Sequence, residues 1–217
     1  MQKKSPVLKL ILASQSPRRK EILESAGIRC TIVSSNSSES FDENLTLDEN
    51  LRAVVADKIK GSLGNLSRSN QKRILILAAD TVVVIGKEVL GKPRNSGDAK
   101  RMLLQLSGKT HIVKTAFGLF NPDESRVVTR IVTTHVTFRK LSLDEIKWYI
   151  LSQEPFDKAG SYAIQGLGGG FVTLVKGDLQ NVVGLPLNAV EREFRKQRWN
   201  VGVKRKITSR STKNRKR

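Results

Sequence analysis

Two hydrophobic rhythms alternate along the chain: short runs of adjacent apolar residues, and longer stretches where apolar residues return every three or four positions. The longest run, residues 74–85, holds a single charge, Asp80, after two alanines and before Thr81. A continuous run of this kind predicts a strand covered on both faces. Residues 7–13, 30–33 and 172–175 predict shorter strands, and 110–120 and 126–139 two long ones joined by a turn at 121–124. Within 82–90 the pair Gly86-Lys87 predicts a two-residue hairpin turn. A further short strand is expected to end at Gln165, before the cluster Gly166-Leu167-Gly168-Gly169-Gly170.

The helix-period stretches carry their own start and stop signals. Ser16-Pro17 opens a helix that Gly27 closes. Thr46-Leu47-Asp48-Glu49 has capping-box form and opens a helix to about residue 62, with Leu47, Leu51, Val54, Val55 and Ile59 on its apolar face. Ser96 is expected to cap a helix reaching Leu106 and stopped by Gly108. Ser142-Leu143-Asp144-Glu145 opens another, through Ile150, with Leu143, Ile146 and Ile150 inward. A closing helix over 187–195 turns Leu187, Val190 and Phe194 to the core.

Composition bounds this picture. A chain of 217 residues, 38% hydrophobic, can bury a full core as one large or two small α/β lobes. It holds no run long enough to span a membrane, and its first residues lack the apolar stretch of a signal peptide, so a cytoplasmic protein is expected. A lone cysteine, Cys30, makes no internal disulfide, and its place in an apolar pattern reads as core. The net charge is +19. Residues 201–217 supply eight Lys/Arg and no acid, leaving 31 cations against 20 acids, or +11, in residues 1–200. That division predicts a single folded domain over 1–200 and a disordered basic tail over 201–217. The tail is either a solubilising segment or a contact for nucleic-acid phosphates. With 5% aromatic residues and no RNA-recognition aromatic motif, nucleic-acid binding is not the reading of the body.

Candidate chemistry lies where residues break their local pattern. An ionised carboxylate is costly inside an apolar strand, so Asp80 belongs either at a turn or in a cleft with cations, a metal or water. Arg18-Arg19-Lys20 sits in the first turn of a helix, where cations cost ~0.3–1 kcal/mol each against the dipole and a bound anion would reverse the sign. Ser14 and Ser16 add hydroxyls there. Lys58 falls inside the apolar stripe of its helix, either snorkelling to water or emerging into a phosphate-binding cleft. Residues 86–92 match the glycines and lysine of a phosphate-binding P-loop, but Pro93 replaces the magnesium-binding hydroxyl and the glycines lie in a hairpin. Lys92 remains a phosphate candidate on its own account. His111 and His135 lie in strands without a partner at metal-ligand spacing and read as structural. Gln165 offers both donor and acceptor, as reading a base edge requires.

Five stretches in order resemble one family. Leu12-Ala13-Ser14-Gln15-Ser16-Pro17-Arg18-Arg19, Ala79-Asp80-Thr81-Val82-Val83, Leu90-Gly91-Lys92-Pro93, Ser107-Gly108-Lys109-Thr110-His111 and the segment 157–166 are similar to the signatures of the Maf nucleoside triphosphate pyrophosphatases. The resemblance runs from about residue 8 to 194. It implies an α/β fold of the ITPase-like kind, a large mixed sheet flanked by helices in two lobes about a central cleft, and commonly a homodimer. It implies hydrolysis of a nucleoside triphosphate between the α- and β-phosphates, with Asp80 as general base and Ser14, Arg18, Arg19, Lys58 and Lys92 on the phosphates. A divalent cation, Mg2+ or Mn2+, would be held by Glu39 and Asp80. Arg18, Thr81 and Gln165 match positions linked to pyrimidine preference, which implies the branch acting on dTTP and UTP and on modified pyrimidines such as 5-methyl-UTP and pseudo-UTP. The branch preferring 7-methyl-GTP and a nucleotide-sensing inhibitor of septum formation are the alternatives within the family.

Overall fold

A computed structural model of the protein describes residues 6–35 and 40–202. The long apolar run forms one uninterrupted strand, β3 (Ile74–Ile85), whose first six residues are almost wholly removed from water. Its neighbours follow from that double-sided burial. β1 (Lys9–Ala13) lies parallel to its first half, and β2 (Cys30–Ile32) lies parallel to β1. On the other side β5 (Thr110–Asn121), β6 (Arg126–Phe138) and β7 (Val172–Lys176) run antiparallel in succession. The seventh strand, β4 (Glu88–Leu90), folds back on the second half of β3 through the Gly86-Lys87 turn. Gly86 has φ +59°, a left-handed conformation that glycine adopts without strain.

Helices cover both faces. α1 (Pro17–Ser25) follows β1, and α2 (Leu47–Gly64) starts at the expected capping box, with Thr46 Oγ1 accepting from Glu49 N and the Glu49 carboxylate from Thr46 N. α4 (Leu143–Leu151) starts at the second box. α3 (Ser96–Leu106) corrects one expectation: Asn95, not Ser96, is the cap, its Oδ1 accepting from Asp98 N at 2.9 Å. Asn caps as well as Ser, and the extended backbone at Asn95 makes Ser96 the first helical residue. On α4 the buried face is Ile146 and Tyr149; Leu143, the first helical residue, is 60% exposed rather than inward. α6 (Leu187–Gln197) buries Leu187, Val190 and Phe194. The five-residue α5 (Leu179–Val183), capped by Asp178, is too short to leave a periodic signal.

No strand ends at Gln165. Tyr162 and Ile164 do turn toward the core, but they join two 3-10 turns, Ala159–Ser161 and Leu167–Phe171, and make no ladder. Gly160 at φ +70° turns the backbone just ahead of this link.

The buried side chains form three clusters, grouped as two cores displaced along β3, the first of them split across the two faces of the sheet. That first core lies around the first half of β3: Leu75 and Leu77 pack with α1 and α6 on one face, while Ile74 and Ile76 pack on the other with Leu51, Val55 and Ile59 of α2. The second core gathers Val83, Leu90, α3, Phe138 and Tyr149 around the far half. Each fully buried Leu, Ile or Phe contributes about 1.5–3 kcal/mol. Trp199 closes the first core, its indole N–H donating to both oxygens of Glu124 at 3.0 and 3.1 Å, whereas Trp148 on α4 is 55% exposed. Among the described residues no helix is long and apolar enough to cross a membrane. Glu39 and the basic residues 203–217 lie outside the described residues.

Candidate active site

The gap between the two cores is written into the pairing of β3. On one edge β1 pairs with it only as far as Ala78, and β4 joins only from Val83. Among the described residues nothing pairs with 79–82 on that edge, and here β1 turns through Ser14 into α1. Crevices beside the carboxyl end of a parallel strand are where open α/β sheets bind ligands. A cleft of about 790 Å³ opens at this point.

Strand alternation then distributes the chemistry. Asp80 takes the α2 side of the sheet, where Lys58 rises from the helix with its Nζ 2.6 Å from Asp80 Oδ1 and 3.5 Å from the carbonyl of Ala79. The side chains of Lys58 and Asp80 are only 8% and 13% exposed. A pair so removed from water adds little net stability, because desolvation offsets its attraction, yet losing either partner strands a charge.

Thr81 takes the other side and meets Arg19. Arg19 is 9% exposed, and its guanidinium donates to three segments at once: Nε to Gly184 O at 2.9 Å, Nη1 to Ser14 Oγ at 2.9 Å, and Nη2 to Thr81 Oγ1 at 3.2 Å. The hydroxyls behind it have a direction. Thr115 Oγ1, facing Thr81 across the β3–β5 register, donates to Asn181 O at 3.0 Å. The 2.9 Å bond between the threonines is therefore donated by Thr81, whose lone pairs turn to Arg19. Thr115, Asn181 and Gly184 were not legible as site residues, because only the strand register and the α5 turn bring them to Arg19.

The remaining candidates stand around the same opening. Ser14, Arg18, Lys92 and Gln165 all line it, with Arg19, Lys58, Asp80 and Thr81. Lys20 does not; it pairs with Glu24 along α1. Arg18 reaches across the cleft to Asp157 Oδ2 at 3.5 Å, and Asp157 also engages Lys158. Burial raises the Asp157 carboxyl, but its bond from Lys158 and the charges of Lys158 and Arg18 outweigh this and hold it below the usual range. Among the described residues the lining carries five cations, Arg18, Arg19, Lys58, Lys92 and Lys158, against the carboxylates Asp80 and Asp157. Such an excess suits a polyanion. Near Gln165 the wall is apolar, formed by Tyr162, Ala163, Ile164 and Val183. Behind it His111 Nε2 and the Tyr162 hydroxyl are hydrogen-bonded at 2.8 Å, and burial pushes the imidazole down to about 4.

Among the described residues no three His, Cys, Asp or Glu side chains gather to cage a metal. The donor set fits a shared cation instead: magnesium typically takes one or two carboxylates and completes its shell with phosphate oxygens and water. Asp80 offers one such carboxylate beside a cation-lined wall. Glu39 lies outside the described residues.

Residues 9–197 match the model of the family described as Maf-like protein. Proteins named dTTP/UTP pyrophosphatase are similar over most of the chain. That of Syntrophus aciditrophicus (strain SB) is 42% identical over 182 residues, 84% of this chain and 86% of the relative. That of Myxococcus xanthus (strain DK1622) is 46% identical over 178 residues, 82% and 87%. That of Bacillus cereus (strain ATCC 10987 / NRS 248) is 43% identical over 195 residues, 90% and 92%. Among solved structures, the Staphylococcus aureus Ham1 protein aligns with a TM-score of 0.47 at 11% identity, over 87% of this chain and 99% of that one. With a family model spanning nearly all of its described residues and relatives above 40% identity, the chain belongs to the Maf family.

Proposed function

We propose that the protein hydrolyses dTTP and UTP to the nucleoside monophosphate and pyrophosphate. The observation that carries this reading is the Asp80–Lys58 pair at the unpaired stretch of β3, facing a cation-lined cleft in a chain whose relatives bear that activity in their names. A water attacks the α-phosphorus as the bond from that atom to the bridging oxygen breaks. Its proton passes to Asp80, a step typically worth ~10²–10⁴-fold. Lys58 fixes one oxygen of the carboxylate and so sets its orientation toward the water. Arg18, Arg19, Lys92 and the first turn of α1 hold the triphosphate and take up charge developing on the departing pyrophosphate. Ser14 contributes a hydroxyl and anchors Arg19.

When bound, a divalent cation held by Asp80, with Glu39 as a further candidate ligand, neutralises phosphate charge. Gln165 reads the pyrimidine edge with a donor and an acceptor, and Thr81 acts through Arg19. The apolar wall beside Gln165 suits the methyl group of thymine and of 5-methyl-UTP, and pseudo-UTP is a further expected substrate on the family resemblance. A cytoplasmic homodimer is the form in which we expect the enzyme to work. Residues 201–217 are expected to be dispensable for hydrolysis, whether or not they touch nucleic acid.

The test is product release from dTTP, UTP, CTP, GTP and 7-methyl-GTP with magnesium or manganese, run in ¹⁸O-labelled water. Label in the monophosphate, preference for dTTP and UTP, and loss of turnover in Asp80→Asn are the expected results. Label in pyrophosphate would refute attack at the α-phosphate, and preference for 7-methyl-GTP would move the protein to the other branch of the family.

A further inference from the structure

Gln165 stands on an irregular link between two 3-10 turns, a poor place from which to discriminate between bases unless something fixes it. The fixing groups are out of sight of the cleft. Glu154 follows α4 and sends its carboxylate under the glycine cluster, where Oε2 accepts from Leu167 N at 2.9 Å and Oε1 from Gly168 N at 3.0 Å. Tyr149, fully buried in α4 and packed edge-on against Phe171, donates its hydroxyl to Glu154 Oε1 at 2.8 Å. The same hydroxyl accepts from Ala163 N at 3.1 Å. The backbone is therefore held two residues before Gln165 and again two and three residues after it. Neither Glu154 nor Tyr149 lines the cleft.

The glycines belong to this arrangement. A Cβ on Gly166 would run into the Glu154 carboxylate, one on Gly168 would come within 2.6 Å of the Tyr149 hydroxyl, and one on Gly169 within 2.6 Å of Ile164 O. The cluster lets the main chain close onto the Glu154–Tyr149 pair with no side chain between, which a simple turn would not need. Burial raises the Glu154 carboxyl, but the bonds from Gly168, Leu167 and Tyr149 outweigh it and hold the group below the usual carboxylate range.

We propose that Glu154, with Tyr149, is the positioning residue that sets nucleobase preference, acting through the backbone of residues 163–168 to hold Gln165 at the base edge. The inference rests on the reading of Gln165 as the base-contacting residue. A site built to hydrogen-bond one base edge rejects others only while its donor and acceptor stay in place.

The test compares Glu154→Gln, Tyr149→Phe and Gln165→Glu with the wild type, using kcat and KM for dTTP and GTP and the inhibition constant of inorganic tripolyphosphate as a probe of the phosphate end. Tyr149→Phe keeps the buried ring and so guards against a variant that merely fails to fold. For Glu154→Gln and Tyr149→Phe we expect the dTTP-over-GTP ratio of kcat/KM to fall by about tenfold, the worth of a charge-assisted hydrogen bond, mainly through KM. Tripolyphosphate inhibition stays within about twofold, less than one neutral hydrogen bond is usually worth. An unchanged ratio in both, while Gln165→Glu does alter it, overturns the positioning role. Parallel loss of tripolyphosphate binding overturns it too, since that means general loosening of the cleft. If Gln165→Glu leaves the ratio unchanged, it is the base-reading assignment that has failed, and the inference falls with it.

Discussion

The two ends of the cleft are built by different means. At the end proposed to hold the phosphates most of the polar groups, with Lys92 in the loop after β4 as the exception, ride on regular elements: Asp80 and Thr81 on β3, Lys58 on α2, Arg18 and Arg19 on the first turn of α1. Strand parity and helical phase aim these side chains, so their geometry is as stiff as the sheet. At the other end Gln165 rides on irregular backbone held by one carboxylate, one phenol and three glycines. Under the proposed roles, charge recognition and catalysis stand largely on the scaffold, while the base-reading Gln165 stands on a loop, and the prediction is that altering this loop leaves the former largely intact. Function concentrated on loops over a rigid frame follows the same logic.

The sharpest way to break the comparison is at the phosphate end. Asp80→Asn should lower kcat by ~10²–10⁴-fold in pyrophosphate-release assays, while the dTTP-over-GTP preference of the residual activity is retained. Next in size is the pH response behind the apolar wall. The His111 imidazole falls from the ordinary 6.5 to about 4 on burial, so the folded state takes up its proton later than the unfolded one. Its contribution is complete above about pH 6.5 and is lost as pH falls toward 4, at most about 3 kcal/mol. Urea midpoints across that range should show the slope, and His111→Gln should flatten it.

Gly168→Ala drives a methyl group against the Tyr149 hydroxyl and should cost about 1–3 kcal/mol of stability, read from denaturant midpoints. Its kinetic effect should appear in base preference rather than in tripolyphosphate inhibition. The smallest expected effect is the most specific. Thr115→Val removes the acceptor that turns the Thr81 hydroxyl away from Arg19, and should lower kcat/KM for dTTP and GTP alike, by about 2–10-fold. A change confined to dTTP would show that the two ends are not separable.

How well each end could be read in advance follows the same division. Asp80 and Lys58 were legible because each is a charge inside an apolar pattern, and α2 and α4 because their capping boxes are local chemistry. The hairpin after β3 follows from Gly86 alone. Asn95 is hidden in the sequence by Ser96, an equally good cap that stands next to it. The alternation of Tyr162 and Ile164 imitates a strand, although each reaches the core from a link between turns. Thr115 is one hydroxyl among many on β5 until the register sets it opposite Thr81. Glu154 looks like any loop acid until the backbone donors Leu167 N and Gly168 N close onto it, and Asp157 until Arg18 reaches it across the cleft. What escaped the sequence is what depends on register or on backbone donors that carry no residue signature.

One feature of the first core gives the protein an optical handle. Its two tryptophans report from opposite environments: Trp199 is sealed against Glu124 in the core, and Trp148 faces solvent on α4. Emission from Trp148 should lie to the red and yield to acrylamide, while Trp199 stays blue-shifted and shielded. Neither residue lines the cleft. A Trp148→Phe protein would therefore carry a single buried fluorophore whose colour follows the opening of the first core, largely undisturbed by whatever occupies the cleft.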